Sequence, residues 1–192
     1  MLKLPPQQSY VLSQAKEQAI ELTSIEYPPE IAKDEKGILQ GKTKADYLGW
    51  TTDRIICAYY FHDGTDFIGV IAPSSLPPFS QRDLFQRVLG LSRSQGKRYG
   101  INGTCPEGME PGTCSPFPYE SQVGTSIRDL LICDVPKLAD TTVDVSIGGE
   151  GDLAQRTSLH LPYSTISEIL HHQFGPRIHL FTIPQETFLY SP

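Results

Sequence analysis

Arg54-Ile55-Ile56-Cys57-Ala58-Tyr59-Tyr60-Phe61, followed by His62-Asp63-Gly64-Thr65 and then Asp66-Phe67-Ile68-Gly69-Val70-Ile71-Ala72-Pro73, reads as one β-hairpin. Asp-Gly between two β-rich runs is a strong hairpin signal, because a tight turn there needs residues that tolerate positive φ. Both arms are almost continuously apolar instead of alternating, which is how strands read when other structure covers both faces. The hairpin is therefore predicted to form the centre of a core sheet.

On the N-terminal side, Ser13 is a candidate N-cap for a helix over Gln14 to Leu22, a run rich in helix formers. Ser24-Ile25-Glu26-Tyr27 reads as a short strand stopped by Pro28-Pro29, since proline removes a ladder donor. The charged run from Asp34 to Lys44 is predicted to be solvated.

On the C-terminal side, Ser80 opens a predicted helix whose apolar Leu84, Phe85, Val88 and Leu89 recur at helical spacing, with Gly90 as the stop. Gly96 to Pro118 reads as loop, dense in Gly and Pro. Strands are predicted over Asp129–Asp134, Thr141–Ile147, Arg156–Leu161 and Arg177–Ile183. A helix containing Ile166, Ile169 and Leu170 is capped by Ser164 or Thr165. Hairpins interspersed with helices imply an α+β architecture, not a doubly wound parallel sheet.

The length of 192 residues is enough to bury a real core and suggests a single domain over 1–192, with 173–192 unassigned as a C-terminal extension. No run approaches the roughly 20 apolar residues needed to cross a bilayer, and Met1 to Pro6 lack a signal peptide's apolar core. The expectation is a cytoplasmic protein with no membrane partner. A net charge of −6 argues against duplex DNA as a partner, because such binding needs many cationic contacts to phosphate; a small nucleotide end remains compatible.

Cys57, Cys105, Cys114 and Cys133 form no C-x-x-C pair, so no zinc knuckle or thioredoxin-type site is indicated. They are expected to be reduced thiols, the alternative being a disulfide between Cys105 and Cys114 across a Pro- and Gly-rich loop. The histidines form no H-E-x-x-H pattern, and neither a metal nor a cofactor is expected. Gly148-Gly149-Glu150-Gly151 lacks the Lys-Ser/Thr of a phosphate loop and reads as a turn.

One loop carries more. Met109-Glu110-Pro111-Gly112-Thr113-Cys114-Ser115-Pro116-Phe117 resembles the G-x-x-x-P loop, with its Ser-Pro-Phe, of the YbaK/prolyl-tRNA-synthetase-associated domain family, with Gly112 and Pro116 as its fixed ends. Val88 to Ser92, Leu131 to Asp134, Val145 to Gly149 and Thr157 to Leu161 fit the same resemblance, which spans the chain from the first helix to about Leu170. That family consists of aminoacyl-tRNA deacylases. The resemblance implies a mixed, partly barrel-like sheet with surrounding helices, a pocket for an aminoacyl group beside the Gly-Pro loop, and hydrolysis of the ester joining a misattached amino acid to the tRNA 3′ end. The alternative it leaves is a catalytically inactive module that binds a small ligand or a partner protein.

By the same resemblance, Gly112, Thr113, Cys114, Ser115 and Pro116 hold the substrate, and Gly112 is catalytic through amides that stabilise a developing oxyanion. The family usually carries a lysine where this chain has Cys57, and a neutral thiol supplies no positive charge there. Arg54, Lys42, Lys44, Lys97 and Arg98 are the cations that could take its place in space. Cys57 is either a catalytic position, as a nucleophile or an altered site residue, or a small buried hydrophobe. Asp134 is either a residue beside the pocket or a cap on the turn after its strand. Ser115 lacks a nucleophile-elbow motif and otherwise reads as a turn stabiliser.

Overall fold

The computed structural model describes residues 13, 15–17, 22–35, 37–76, 79–119 and 126–183. The hairpin forms as the sequence predicts: β2 (Ile55–His62) and β3 (Phe67–Pro73) pair antiparallel, with Cys57 opposite Ala72 and Tyr60 opposite Gly69. Every residue of β3 is buried, the physical basis of its unbroken apolar run.

Around this centre lies one seven-stranded mixed sheet. β1 (Thr23–Glu26) is followed by the helix α1 (Gly41–Leu48), the hairpin, and the helices α2 (Gln81–Leu89) and α3 (Arg93–Arg98). Then come β4 (Ile127–Cys133), β5 (Thr142–Ser146), the short helix α4 (Gly151–Gln155), β6 (Thr157–Pro162), α5 (Tyr163–Phe174) and β7 (Ile178–Phe181). The strand order is β1-β6-β5-β2-β3-β4-β7; β5 joins β2, β4 joins β3 and β7 joins β4 in parallel, and the other pairs are antiparallel. The α+β architecture holds. The sheet is open, ending on β1 and β7, so no barrel closes; β7 places part of the segment after 173 in the sheet.

Each face has its own core. Ile56, Ala58, Val143, Val145, Leu159 and Leu161 meet Ile166, Ile169 and Leu170 of α5 on one side, while Phe61, Ile68, Val70 and Leu131 meet Leu84 and Phe85 of α2 on the other. Ser80 caps α2 by accepting the Asp83 N–H, and Gly90 ends it at φ 67°, as the sequence indicates.

Three local expectations need correction. α5 begins after Pro162 with no side-chain cap, so neither Ser164 nor Thr165 fills that role; Thr165 is buried instead. α3 occupies the start of the predicted loop, and its signal is the capping box Ser92/Gln95, in which each side chain satisfies the other's backbone N–H. The run from Asp34 to Lys44 is not wholly solvated, because Lys44 is 5% exposed. Of the predicted first helix, Ser13, Ala15, Lys16 and Glu17 are helical, and most of its other positions lie outside the described residues.

Gly69 shows how tightly the hairpin is packed. A Cβ at this position would lie 2.5 Å from Leu130 Cδ2 and 2.9 Å from Tyr60 Cε1, and both neighbours are buried. Gly69→Ala is expected to destabilise the fold by about 1–3 kcal/mol through overpacking. Urea unfolding checks this, and an unchanged midpoint would contradict it.

Candidate functional site

β2 and β5 pair only through Ile55 with Asp144 and Ile56 with Val145. Beyond these two positions no ladder pair joins the strands, and residues of the loop over 101–117 line a space beside β2 and Ser146. The result is a cavity of about 320 Å³ lined by Ile38, Lys44, Cys57, Tyr60, Cys105, Gly112, Cys114 and Ser146 among others.

The loop is held from several directions. Thr113 is fully buried; its hydroxyl donates to Gly149 O at 2.6 Å and accepts the Glu110 N–H at 3.0 Å. The Gly149 N–H donates to Gly108 O at 2.6 Å, and Glu110 Oε1 accepts the Gly151 N–H at 2.8 Å. Tyr60 of β2 donates its hydroxyl to Ser115 O at 2.8 Å, and Ser115 Oγ accepts the Phe117 N–H. Met109 and Phe117 anchor both ends in the core. Gly112 forms the bend at φ 97°, a conformation that favours glycine, and a Cβ there would press on Ile38 Cγ2 at 3.1 Å. Its amide has no hydrogen-bond partner among the described residues.

Lys44, in the lining of the same cavity, belongs to a buried polar network. Lys44 of α1 donates from Nζ to Ser158 Oγ at 2.9 Å and pairs with Asp144 Oδ1 at 3.4 Å. Asp144 is fully buried and also accepts the Tyr27 hydroxyl at 2.7 Å, with His160 Nε2 at 3.2 Å. Burial alone would raise the Asp144 carboxyl, but Lys44, His160 and Tyr27 outweigh it and hold the group below the ordinary carboxylate value. The Tyr27 phenol is driven well up, first by burial and then by the carboxylate it faces. Arg156 fixes Tyr27 by donating to its carbonyl at 2.6 Å and pairing with Glu26 at 2.9 Å. The His160 ring packs on Trp50 with centroids 4.8 Å apart, and the Arg54 guanidinium lies 3.5 Å over the same indole.

Of the sequence-predicted residues, Cys57, Gly112 and Cys114 line the cavity together. Thr113, Ser115 and Pro116 are buried in the loop and shape the bend. Asp134 stands apart: it is exposed after β4, and its N–H donates to Phe181 O at 2.7 Å. Cys57 is half-buried, and desolvation pushes its thiol above the ordinary value even with Lys44 nearby. Among the five cations named as substitutes for the expected lysine, Lys44 alone lines the cavity. All four cysteines are free thiols, and Cys105 and Cys114 lie side by side with sulfurs 3.7 Å apart.

No protein-family model matches the chain, and no curated protein does. Solved structures are similar to it, two of them as follows. A crystal structure of a candidate trans-editing enzyme for prolyl tRNA synthetase aligns with a TM-score of 0.56 at 13% identity, over 87% of this chain and 93% of that one. A scaffold from the computational design of grafted linear epitopes aligns with a TM-score of 0.60 at 12% identity, over 94% of this chain and 97% of that one. The chain shares their fold. At such identity the likeness is one of architecture, and the site has to be read from its own chemistry.

Proposed function

We propose that this chain is a trans-editing aminoacyl-tRNA deacylase, which hydrolyses the ester between a misattached amino acid and the tRNA 3′ end. The observation that carries this reading is the placement of a buried lysine, Lys44, in the same cavity as the Gly112 bend. An ester carbonyl between them would meet a cation on one side and an unpartnered amide on the other. Both favour the negative charge that develops on the carbonyl oxygen when water adds. Lys44 carries three N–H donors, and Asp144 and Ser158 take two of them, leaving one for the substrate. Cys57, its thiol raised by burial, serves as cavity wall. Asp134, exposed and away from the cavity, takes no part in this chemistry. Fold likeness to a candidate editing enzyme supports the same reading.

The second reading, a binding module without turnover, is favoured by one observation. Among the described residues no carboxylate or imidazole, the side chains that most often activate water, lines the cavity. The two readings separate in one assay, in which purified protein in excess is incubated with a panel of mischarged tRNAs. Release of amino acid is expected from at least one member. An intact panel would overturn the deacylase, and binding of a non-hydrolysable aminoacyl-adenosine analogue without turnover would establish the module.

A further inference from the structure

Three cysteines line the cavity, and two of them are poised to react with each other. Cys114 Sγ donates to Cys105 Sγ at 3.7 Å, and the two residues enclose the bend that contains Gly112. Neither sulfur is held elsewhere by a strong partner: Cys105 is 3.9 Å from Gly103 O and Cys114 is 3.7 Å from Glu110 O, both long contacts. A disulfide needs sulfurs about 2.05 Å apart, so closure requires a movement of under about 2 Å. Gly103, Gly108 and Gly112 all sit at positive φ, the bends that bring the two cysteines together.

We propose that Cys105 and Cys114 form a peroxide-oxidisable dithiol whose cross-link narrows the cavity. Cys105 is the attacking sulfur. It is the less enclosed of the two, and the S–H donated by Cys114 lowers its thiol from the ordinary value, whereas Cys114 is pushed up by giving that bond and by burial. The Cys105 thiolate attacks one oxygen of hydrogen peroxide; the O–O bond breaks, a sulfenic acid forms, and the departing hydroxide takes up a proton to become water. Cys114 sulfur then attacks the sulfenyl sulfur, the S–O bond breaks, and the second hydroxide leaves as water with the Cys114 proton. The two sulfurs lose two electrons in total, and the peroxide is reduced to two waters. A dithiol reductant reverses the step by exchange.

The other thiols provide the contrast. Cys133 is buried, and its thiol is raised to about 11 by burial and by Asp134. Cys57 is raised by burial and has no sulfur partner at bonding distance among the described residues. Both should therefore react more slowly. Because Cys57 lines the same cavity, its alkylation rate reports on access when the Cys105–Cys114 bridge forms.

The test is graded hydrogen peroxide on the wild-type chain, followed by proteolysis and mass mapping under non-reducing conditions. The expected product is a Cys105–Cys114 cross-linked peptide that appears before any change at Cys57 or Cys133 and disappears with dithiothreitol. In the oxidised protein, iodoacetamide should modify Cys57 several-fold more slowly than in the reduced protein. In Cys114→Ser, dimedone should trap a sulfenic acid at Cys105, and in Cys105→Ser it should trap none at Cys114. Earlier oxidation at Cys57 or Cys133, or cross-links only between molecules, would overturn the proposal. An unchanged Cys57 rate in fully bridged protein would remove the narrowing. None of these readouts depends on deacylase activity.

Discussion

Asp144→Ala is expected to lower the free energy of unfolding by about 3–5 kcal/mol, the usual effect of removing one member of a buried ion pair. The size follows from what is left behind. Lys44, 5% exposed, would be left with Ser158 and the Tyr27 ring and no anionic partner, and the Tyr27 hydroxyl would lose the acceptor it reaches at 2.7 Å. Asp144→Asn retains the shape and one acceptor oxygen and should cost less. Urea unfolding of both variants checks the order, and a loss of under about 1 kcal/mol for the alanine variant would show that the network is not buried as described.

The same carboxylate fixes a pH dependence. Its folded pKa lies below the ordinary value, so the unfolded chain binds the proton more readily and the stabilisation is present above the unfolded value near 3.9. It is lost as pH falls through the lower folded value. The stability gap between wild type and Asp144→Asn should therefore shrink as pH falls below about 4.

The readable parts of this molecule are those where local pattern and tertiary environment agree. The hairpin declares itself because β2 and β3 are covered on both faces, and α2 because Ser80 and Gly90 mark its ends. Gly112 stands out through the resemblance of its loop to a G-x-x-x-P motif, and its positive φ is what favours glycine there. The polar network left no such sign. In Thr142-Val143-Asp144-Val145-Ser146 the valines face the core, and such an alternation by itself marks no buried carboxylate. α1 covers that face and inserts Lys44, a contact between residues 100 positions apart in the chain. Nothing local distinguishes Lys44 from Lys42, which stays exposed two positions earlier. The open edges of the sheet were equally hidden, since closure depends on which strands pair rather than on how each strand reads.

Lys44→Met carries the largest expected functional effect. If the ammonium stabilises the oxyanion, its removal should reduce kcat for deacylation by about 10²–10³, the range seen when a preorganised electrostatic group is deleted. The loss should appear equally in kcat and kcat/KM, because the interaction strengthens only as charge develops on the carbonyl oxygen. Methionine keeps much of the aliphatic stem, and Asp144 retains Tyr27 and His160, so circular dichroism should show a folded protein. Asp144→Asn serves as the comparison: it loosens Lys44 without deleting its charge, and its activity should fall less than that of Lys44→Met. Cys57→Lys in the Lys44→Met background returns a cation to the same cavity wall and should recover part of the rate. A Lys44→Met protein that deacylates at the wild-type rate would move the catalytic charge elsewhere and leave the buried pair as a purely structural feature.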